Sequence, residues 1–85
     1  MSVMDDIRRQ IRELLVEKLF LDIEPESIEN EKPLADYGVD SFLLLEMIVA
    51  MEEQFGVRFE QSEITAEVLK SVESLARLVE GKLKA

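Results

Sequence analysis

Ser41 is the residue whose surroundings point most directly to chemistry. It stands in the stretch GVDSFLLLE, after an aspartate and before a run of apolar residues. The chain has no histidine and no cysteine, so a Ser-His-Asp triad and a thiol nucleophile are both excluded. A serine hydroxyl at a helix N-terminus does suit a phosphate ester, because unpaired backbone N–H groups and the helix dipole stabilise the anion. The residues therefore predict either a tether that another enzyme modifies or an ordinary helix N-cap.

The residues around Ser41 predict a helix that begins at Asp40 or Ser41 and ends at Phe55, before Gly56. On a helical wheel this segment has two apolar faces, whereas one face is enough to join a core. The face expected to point inward comprises Leu44, Met47, Ile48, Met51 and Phe55. The opposite face comprises Phe42, Leu45, Glu46, Val49 and Glu53. This outer face is predicted to dock a partner, and the alternative is a chance exposure of apolar residues.

The first half of the chain supplies one helix and one long loop. A regular apolar pattern predicts a helix over Val3–Phe20. A polar connection then runs from Asp22 to Asp40, punctuated by two prolines, and is long for so small a protein. Three scattered apolar residues are expected to pin this loop to the core: Ile23, Ile28 and Leu34.

The C-terminal part of the chain predicts a short helix at Thr65–Leu69 and a last helix that begins at Ser71. The buried face of the last helix is expected to contain Val72, Leu75, Ala76, Val79 and Leu83. The predicted fold class is therefore all-α: a small four-helix bundle of three main helices and one short helix, with a long first loop. With 85 residues the chain is expected to form a single domain over residues 1–85.

Charge and composition exclude several classes of function. The chain has 19 acidic and 10 basic residues, a net charge of −9. Nucleic acids and anionic membranes bind positive protein, so this balance argues against both and favours partners with basic surfaces. Without histidine, cysteine or a Gly-rich phosphate loop, no catalytic residue and no metal site is predicted, and an enzyme is not expected. No signal peptide or membrane span is visible, so the cytoplasm is the expected location.

The run DYGVDSFLLLEMIVAMEEQFGV resembles the centre of an acyl carrier protein. Members of that family share a G-x-D-S-[LM] signature, with the serine at the start of the second helix. An acidic residue follows five positions later, then an acidic pair and a phenylalanine that closes the helix. In this sequence these features are Gly38, Asp40, Ser41, Glu46, Glu52, Glu53 and Phe55. Helix lengths, the long first loop and the S-V-x-S-L stretch extend the resemblance over nearly the whole chain.

The resemblance implies that Ser41 carries a 4′-phosphopantetheine arm, derived from coenzyme A and attached through a phosphodiester. The thiol of the arm would hold acyl groups as thioesters for enzymes of fatty acid, polyketide or other specialised biosynthesis. Asp36 and Asp40 would help to position the phosphopantetheinyl transferase. Acyl-activating and acyl-transferring enzymes with basic docking surfaces would bind Phe42, Leu45, Glu46, Val49 and Glu53. The carrier is expected to act as a monomer and to catalyse nothing itself.

The sequence departs from the family pattern at Phe42, where leucine is usual, and at Leu43 and Leu44, which are often polar or acidic. The segment before the last helix also looks longer than in fatty-acid carriers, so a carrier dedicated to a specialised pathway is predicted. An aminoacyl, D-alanyl or peptidyl carrier is the alternative within the class. An unmodified helical interaction module is the alternative outside it. Four inward residues could line an acyl pocket or simply form core: Leu44, Met47, Ile48 and Met51.

Overall fold

A computed structural model describes residues 2–84, which form three α-helices. Helix α1 spans Val3–Leu19, α2 spans Ser41–Phe55 and α3 spans Val72–Lys84. Short 3-10 turns lie in the connections, at Pro25–Ser27, Leu34–Tyr37 and Gln61–Glu63, and residues 2–84 contain no strand. The all-helical class and the three main helices predicted from the sequence are confirmed.

Helix α1 begins where its first turn is capped. The Ser2 hydroxyl accepts a hydrogen bond from the Asp5 backbone N–H at 3.0 Å, which satisfies one of the unpaired donors of that turn. The helix ends at Leu19, one residue earlier than predicted, because Phe20 adopts a left-handed conformation with φ 55°. One face is buried along the whole length of α1: Ile7, Ile11, Leu14, Leu15 and Leu19.

Helix α1 packs against both α2 and α3. Two contacts show that α1 runs antiparallel to α2. Gln10 in the first half of α1 accepts at Oε1 from Gln54 Nε2 near the end of α2, at 2.7 Å, whereas Lys18 near the end of α1 lies beside Glu46 in the first half of α2. The C-terminal end of α1 therefore lies at the same end of the bundle as the N-terminus of α2. The buried side chains of the helices and of the first loop belong to one hydrophobic cluster.

Backbone hydrogen bonds hold the long first loop against the start of α3. The Leu34 N–H donates to the Lys70 carbonyl at 2.7 Å, and the Glu73 N–H donates to the Asn30 carbonyl at 2.8 Å. These two bonds hold the loop, at Asn30 and Leu34, against residues 70–73. The loop is therefore fixed where it approaches α2.

Buried side chains also hold the first loop against the core. Ile28 and Leu34 lie in the core, as predicted for anchors of the loop. The prediction for Ile23 is wrong, since its side chain is 37% exposed. Leu21 packs against the core at the point where the chain leaves α1, and it takes the place expected of Ile23.

The short fourth helix predicted at Thr65–Leu69 is wrong. The segment closes a single turn, in which the Leu69 N–H donates to the Thr65 carbonyl at 3.0 Å. The turn does not continue as an α-helix, since the Lys70 N–H donates to the Glu67 carbonyl at 3.4 Å rather than to the Ala66 carbonyl. The Val68 carbonyl accepts from the Ser74 hydroxyl at 2.6 Å. Between α2 and α3, the regular structure of the described residues is the 3-10 turn Gln61–Glu63.

Helix α3 begins after Ser71, as predicted. The Ser71 hydroxyl accepts from the Ser74 N–H at 3.3 Å, and the Ser74 hydroxyl accepts from the Ser71 N–H at 3.0 Å. Leu83 does not belong to the buried face, since its side chain is 48% exposed. Leu83 lies in the last turn of α3, beyond Val79, which is the last buried residue of the helix. Its neighbour Lys82 pairs with Glu63, with the Lys82 Nζ 2.6 Å from Glu63 Oε1.

Candidate functional site

Asp40, and not Ser41, caps helix α2. The Asp40 backbone is extended, and its Oδ1 atom accepts a hydrogen bond from the Leu43 N–H at 2.9 Å. Ser41 is the first residue of the helix, and its side chain is exposed. Within residues 2–84, the Ser41 hydroxyl makes no hydrogen bond. The interpretation of Ser41 as an N-cap is therefore wrong, and its hydroxyl is available for chemistry.

A closed turn fixes the chain just before Ser41. The 3-10 turn Leu34–Tyr37 ends at Gly38, whose φ of 81° glycine adopts without strain. The Gly38 N–H donates to the Ala35 carbonyl at 3.0 Å, and the Val39 N–H donates to the Leu34 carbonyl at 3.3 Å. The Val39 side chain is buried directly before the cap, so the start of α2 is anchored in the core.

Sequence reasoning missed Val39 as a positioning residue. A signal for it was present, because Val39 directly precedes the cap and Leu44 is the fourth helical residue, which is the spacing of a hydrophobic staple. Val39 is buried, and Leu44 packs against the same core. This spacing sets the angle at which the chain joins α2, and with it the direction of Ser41.

The outer side of α2 is exposed, as the helical wheel predicted. Its three apolar residues, Phe42, Leu45 and Val49, are 68%, 55% and 54% exposed. Two glutamates on the same side of the helix are exposed as well. We use the name α2 face for the set Phe42, Leu45, Glu46, Val49 and Glu53.

The surroundings of the α2 face are negatively charged. Residues 33–57 contain no lysine or arginine, and their acids are Asp36, Asp40, Glu46, Glu52 and Glu53. Lys18 of α1 approaches from the side and lines a shallow cleft of about 220 Å³ together with Glu46, Val49, Ala50 and Glu53. An apolar stripe with acidic neighbours complements a partner surface that is apolar at its centre and basic around it.

The acids near the α2 face have different surroundings. Glu52 Oε2 accepts a hydrogen bond from the Phe59 N–H at 2.8 Å, so Glu52 holds the chain after it leaves the helix. Glu53 is exposed, and so is Asp36 in the turn before Ser41. Spacing alone treats the two glutamates as an equivalent pair, whereas the structure gives only Glu52 a backbone partner.

The inner side of α2 belongs to the core. Met47 and Met51 are fully buried, and Ile48 is 5% exposed. Leu44 is half-buried against the same cluster. All four are packed as core residues in this conformation, and an acyl pocket among them stays a prediction.

Ion pairs fasten α3 to the rest of the chain. Arg8 of α1 donates to both carboxylate oxygens of Glu73, at 2.7 and 3.1 Å. The hydrogen bond from Arg8, with a smaller contribution from Arg77, holds the pKa of the Glu73 carboxyl below its usual range. The hydrogen bond from Lys82 likewise lowers the pKa of Glu63. These pairs stabilise the scaffold that holds α2 in place.

Comparison with known proteins agrees with this geometry. Residues 9–79 match the family described as the phosphopantetheine attachment site. The chain is 34% identical over 80 residues to an acyl carrier protein of Bdellovibrio bacteriovorus, and the match covers 93% of this chain and 97% of that protein.

Solved structures share the fold. The solution structure of a holo acyl carrier protein from Nitrosomonas europaea superposes with a TM-score of 0.82 and 28% identity, over 92% of this chain and 96% of that chain. A chain in the crystal structure of a Bradyrhizobium japonicum glycine:[carrier protein] ligase complexed with glycylated carrier protein superposes with a TM-score of 0.69 and 30% identity. That match covers 86% of this chain and 99% of that one.

The three helices and the match to the attachment-site family define a protein that bears phosphopantetheine. The chain belongs to the acyl carrier protein family. It carries acyl groups for biosynthesis on a covalently bound 4′-phosphopantetheine, and its partners are enzymes that handle acyl groups. Within residues 2–84, none of the helices has the length and apolar character needed to cross a membrane.

Proposed function

We propose that Ser41 is the residue to which the 4′-phosphopantetheine arm is attached. The Ser41 hydroxyl supports this most strongly: it is exposed, it has no hydrogen-bond partner among residues 2–84, and it follows the residue that caps α2. The attached phosphodiester would lie at the N-terminus of a 15-residue helix, where the helix dipole and the unpaired N–H groups favour an anion. The residues at this site therefore fit the group.

The arm supplies a thiol, which a chain without cysteine does not have. The chain itself provides a fixed base for the arm, through the Asp40 cap, the buried Val39 and the turn at Gly38. We propose that it has no catalytic activity of its own, since acyl transfer would take place in the active sites of its partners. We also propose that it acts as one domain and as a monomer, in the cytoplasm.

The α2 face is the surface on which we propose that partner enzymes dock. Phe42, Leu45 and Val49 would form the apolar centre of the contact. Glu46 and Glu53 would attract basic groups on the partner and so raise the rate of association. Asp36 and Asp40 lie closest to Ser41 in the sequence, and we assign them to the phosphopantetheinyl transferase.

The attachment is tested by intact-mass measurement after incubation with coenzyme A and a broad-specificity phosphopantetheinyl transferase. The wild type should gain the mass of one phosphopantetheine group, and Ser41→Ala should gain none. Circular dichroism of Ser41→Ala checks that the variant is folded. A folded wild type that gains no mass would refute the attachment and favour the alternative of an unmodified interaction module.

The cargo that we propose is an acyl group of a fatty acid, polyketide or other specialised pathway. Phe42, Leu43 and Leu44 support a dedicated carrier, because they surround the start of α2 with bulky apolar side chains. The 30% identity to a chain crystallised with a glycine:[carrier protein] ligase favours an aminoacyl cargo as the second candidate. To separate the acyl from the aminoacyl candidate, the phosphopantetheine-bearing protein is incubated with ATP and either an acyl-activating ligase or a glycine-activating ligase. The intact mass of the product then shows which group has been added.

A further inference from the structure

Phe20 combines two unfavourable features that the fold itself does not explain. Its side chain is 89% exposed, more than any other large apolar side chain among the described residues. Its φ of 55° lies in the left-handed region, and within residues 2–84 it is the only residue other than glycine with a positive φ. A side chain with a Cβ is strained in that region, and an exposed aromatic ring is poorly hydrated.

The end of α2 shows how the same turn is made without these features. There Gly56 has φ 65°, and the Val57 N–H donates to the Glu52 carbonyl at 3.2 Å. At the end of α1, the residue after Phe20 donates in the same way to the Val16 carbonyl at 3.3 Å. Glycine is the residue that fits such a helix end best. The turn after α1 therefore does not require an aromatic ring.

The position of Phe20 connects it to the α2 face. Helices α1 and α2 are antiparallel, so Phe20 lies at the end of the bundle where α2 begins with Ser41. Lys18, two residues earlier, lines the same cleft as Glu46 and Val49 of the α2 face. The residues flanking Phe20 include three exposed acids, Glu17, Asp22 and Glu24. Phe20 thus repeats the composition of the α2 face, an exposed apolar group with acids around it.

We propose that Phe20 is a second docking contact for the phosphopantetheinyl transferase that modifies Ser41. The ring would enter an apolar pocket on the enzyme, and the neighbouring acids would meet basic groups around that pocket. Aromatic side chains in such pockets provide a large share of binding energy at interfaces. The inference rests on the proposed function, because it assumes that a transferase approaches Ser41.

The test compares wild type and Phe20→Gly as substrates of a broad-specificity phosphopantetheinyl transferase with coenzyme A. We expect kcat/KM for Phe20→Gly to fall about fivefold or more, mostly through a higher KM, as for the loss of an aromatic anchor. Tm should stay the same or rise, because glycine relieves the strain at φ 55°. The control is Val3→Ala, which trims a side chain 68% exposed at the opposite end of α1 and should leave kcat/KM unchanged.

Three results would overturn the inference. The first is a kcat/KM for Phe20→Gly equal to that of the wild type. The second is a Tm several degrees below the wild type, which would show that the ring stabilises the fold. The third is a wild-type dimer in sedimentation that Phe20→Gly dissociates, because a second copy of the chain would then cover the ring. If the wild type itself gains no phosphopantetheine, the proposed function fails, and this inference fails with it.

Discussion

Replacing Asp40 and Ser41 separately should distinguish the cap of α2 from the proposed attachment residue. Asp40→Ala removes the carboxylate that accepts from the Leu43 N–H at 2.9 Å. Loss of such a cap lowers the free energy of unfolding by about 1 kcal/mol. Loss of a negative charge at the helix N-terminus removes a further ~0.3–1 kcal/mol. For a protein of this size, a total near 1.5 kcal/mol corresponds to a decrease in Tm of about 6–12 °C.

Ser41→Ala should behave differently, because the Ser41 hydroxyl has no hydrogen-bond partner among residues 2–84. Its free energy of unfolding should stay within about 0.5 kcal/mol of the wild type. Asp40→Asn is the matched control, since its amide oxygen can accept the same bond and should restore most of the stability. Urea unfolding followed by circular dichroism measures all three variants. If Ser41→Ala were as destabilising as Asp40→Ala, the serine would be the cap and the reasoning would be refuted.

Further variants test the scaffold and the α2 face. Arg8 holds the pKa of Glu73 below its ordinary 4.5, so this pair stabilises the fold above that pH and loses its effect as the pH falls through the lower folded pKa. The stability difference between wild type and Glu73→Gln in urea should therefore shrink in acid, and a difference independent of pH would contradict this. Glu52→Ala, which removes the acceptor of a backbone N–H, should lower the unfolding free energy by about 1–2 kcal/mol, whereas Glu53→Ala should barely change it. The reverse order in urea unfolding would disprove this assignment. Leu45→Ala should lower kcat/KM of the transferase about three- to tenfold at unchanged Tm. Added salt should slow the wild-type reaction as well, and a rate indifferent to salt would count against acidic docking.

The three main helices and the family could be predicted because local signals agreed with one another. Apolar periodicity identified α1 and the buried side of α2, and Gly56 marked the end of α2. The arrangement of Gly38, Asp40 and Ser41 resembled a family signature, and the family itself was then found by comparison. Each of these features depends on residues that are close together in the chain.

The errors concern contacts between residues that are distant from the segment in question. Thr65–Leu69 has the composition of a short helix, but after one turn the Lys70 N–H pairs with the Glu67 carbonyl, and the Val68 carbonyl accepts from the Ser74 hydroxyl of α3. Leu83 continues the apolar stripe of α3, but it lies beyond Val79, the last buried residue of the helix, and is exposed. A helical wheel does not show which parts of the rest of the chain lie against each residue of a helix.

The sequence alone also did not show which of two adjacent polar residues makes a given hydrogen bond. Asp40 and Ser41 are both good N-caps, and only the hydrogen bond to the Leu43 N–H shows which of them performs that task. The helical wheel places Glu53 and not Glu52 on the outer face, but only the bond from the Phe59 N–H shows what Glu52 does instead. Geometry at the scale of one hydrogen bond decides both cases.

Peptide mapping by mass spectrometry tests the central claim most directly. Wild-type protein is incubated with coenzyme A and the transferase and then digested. The mass of each serine-containing peptide is measured, and the peptide is fragmented to locate the group. The account predicts one phosphopantetheine group per chain, on Ser41, and none on the other serines, which are Ser2, Ser27, Ser62, Ser71 and Ser74. A group on any other serine, or a folded protein that carries no group, would contradict it.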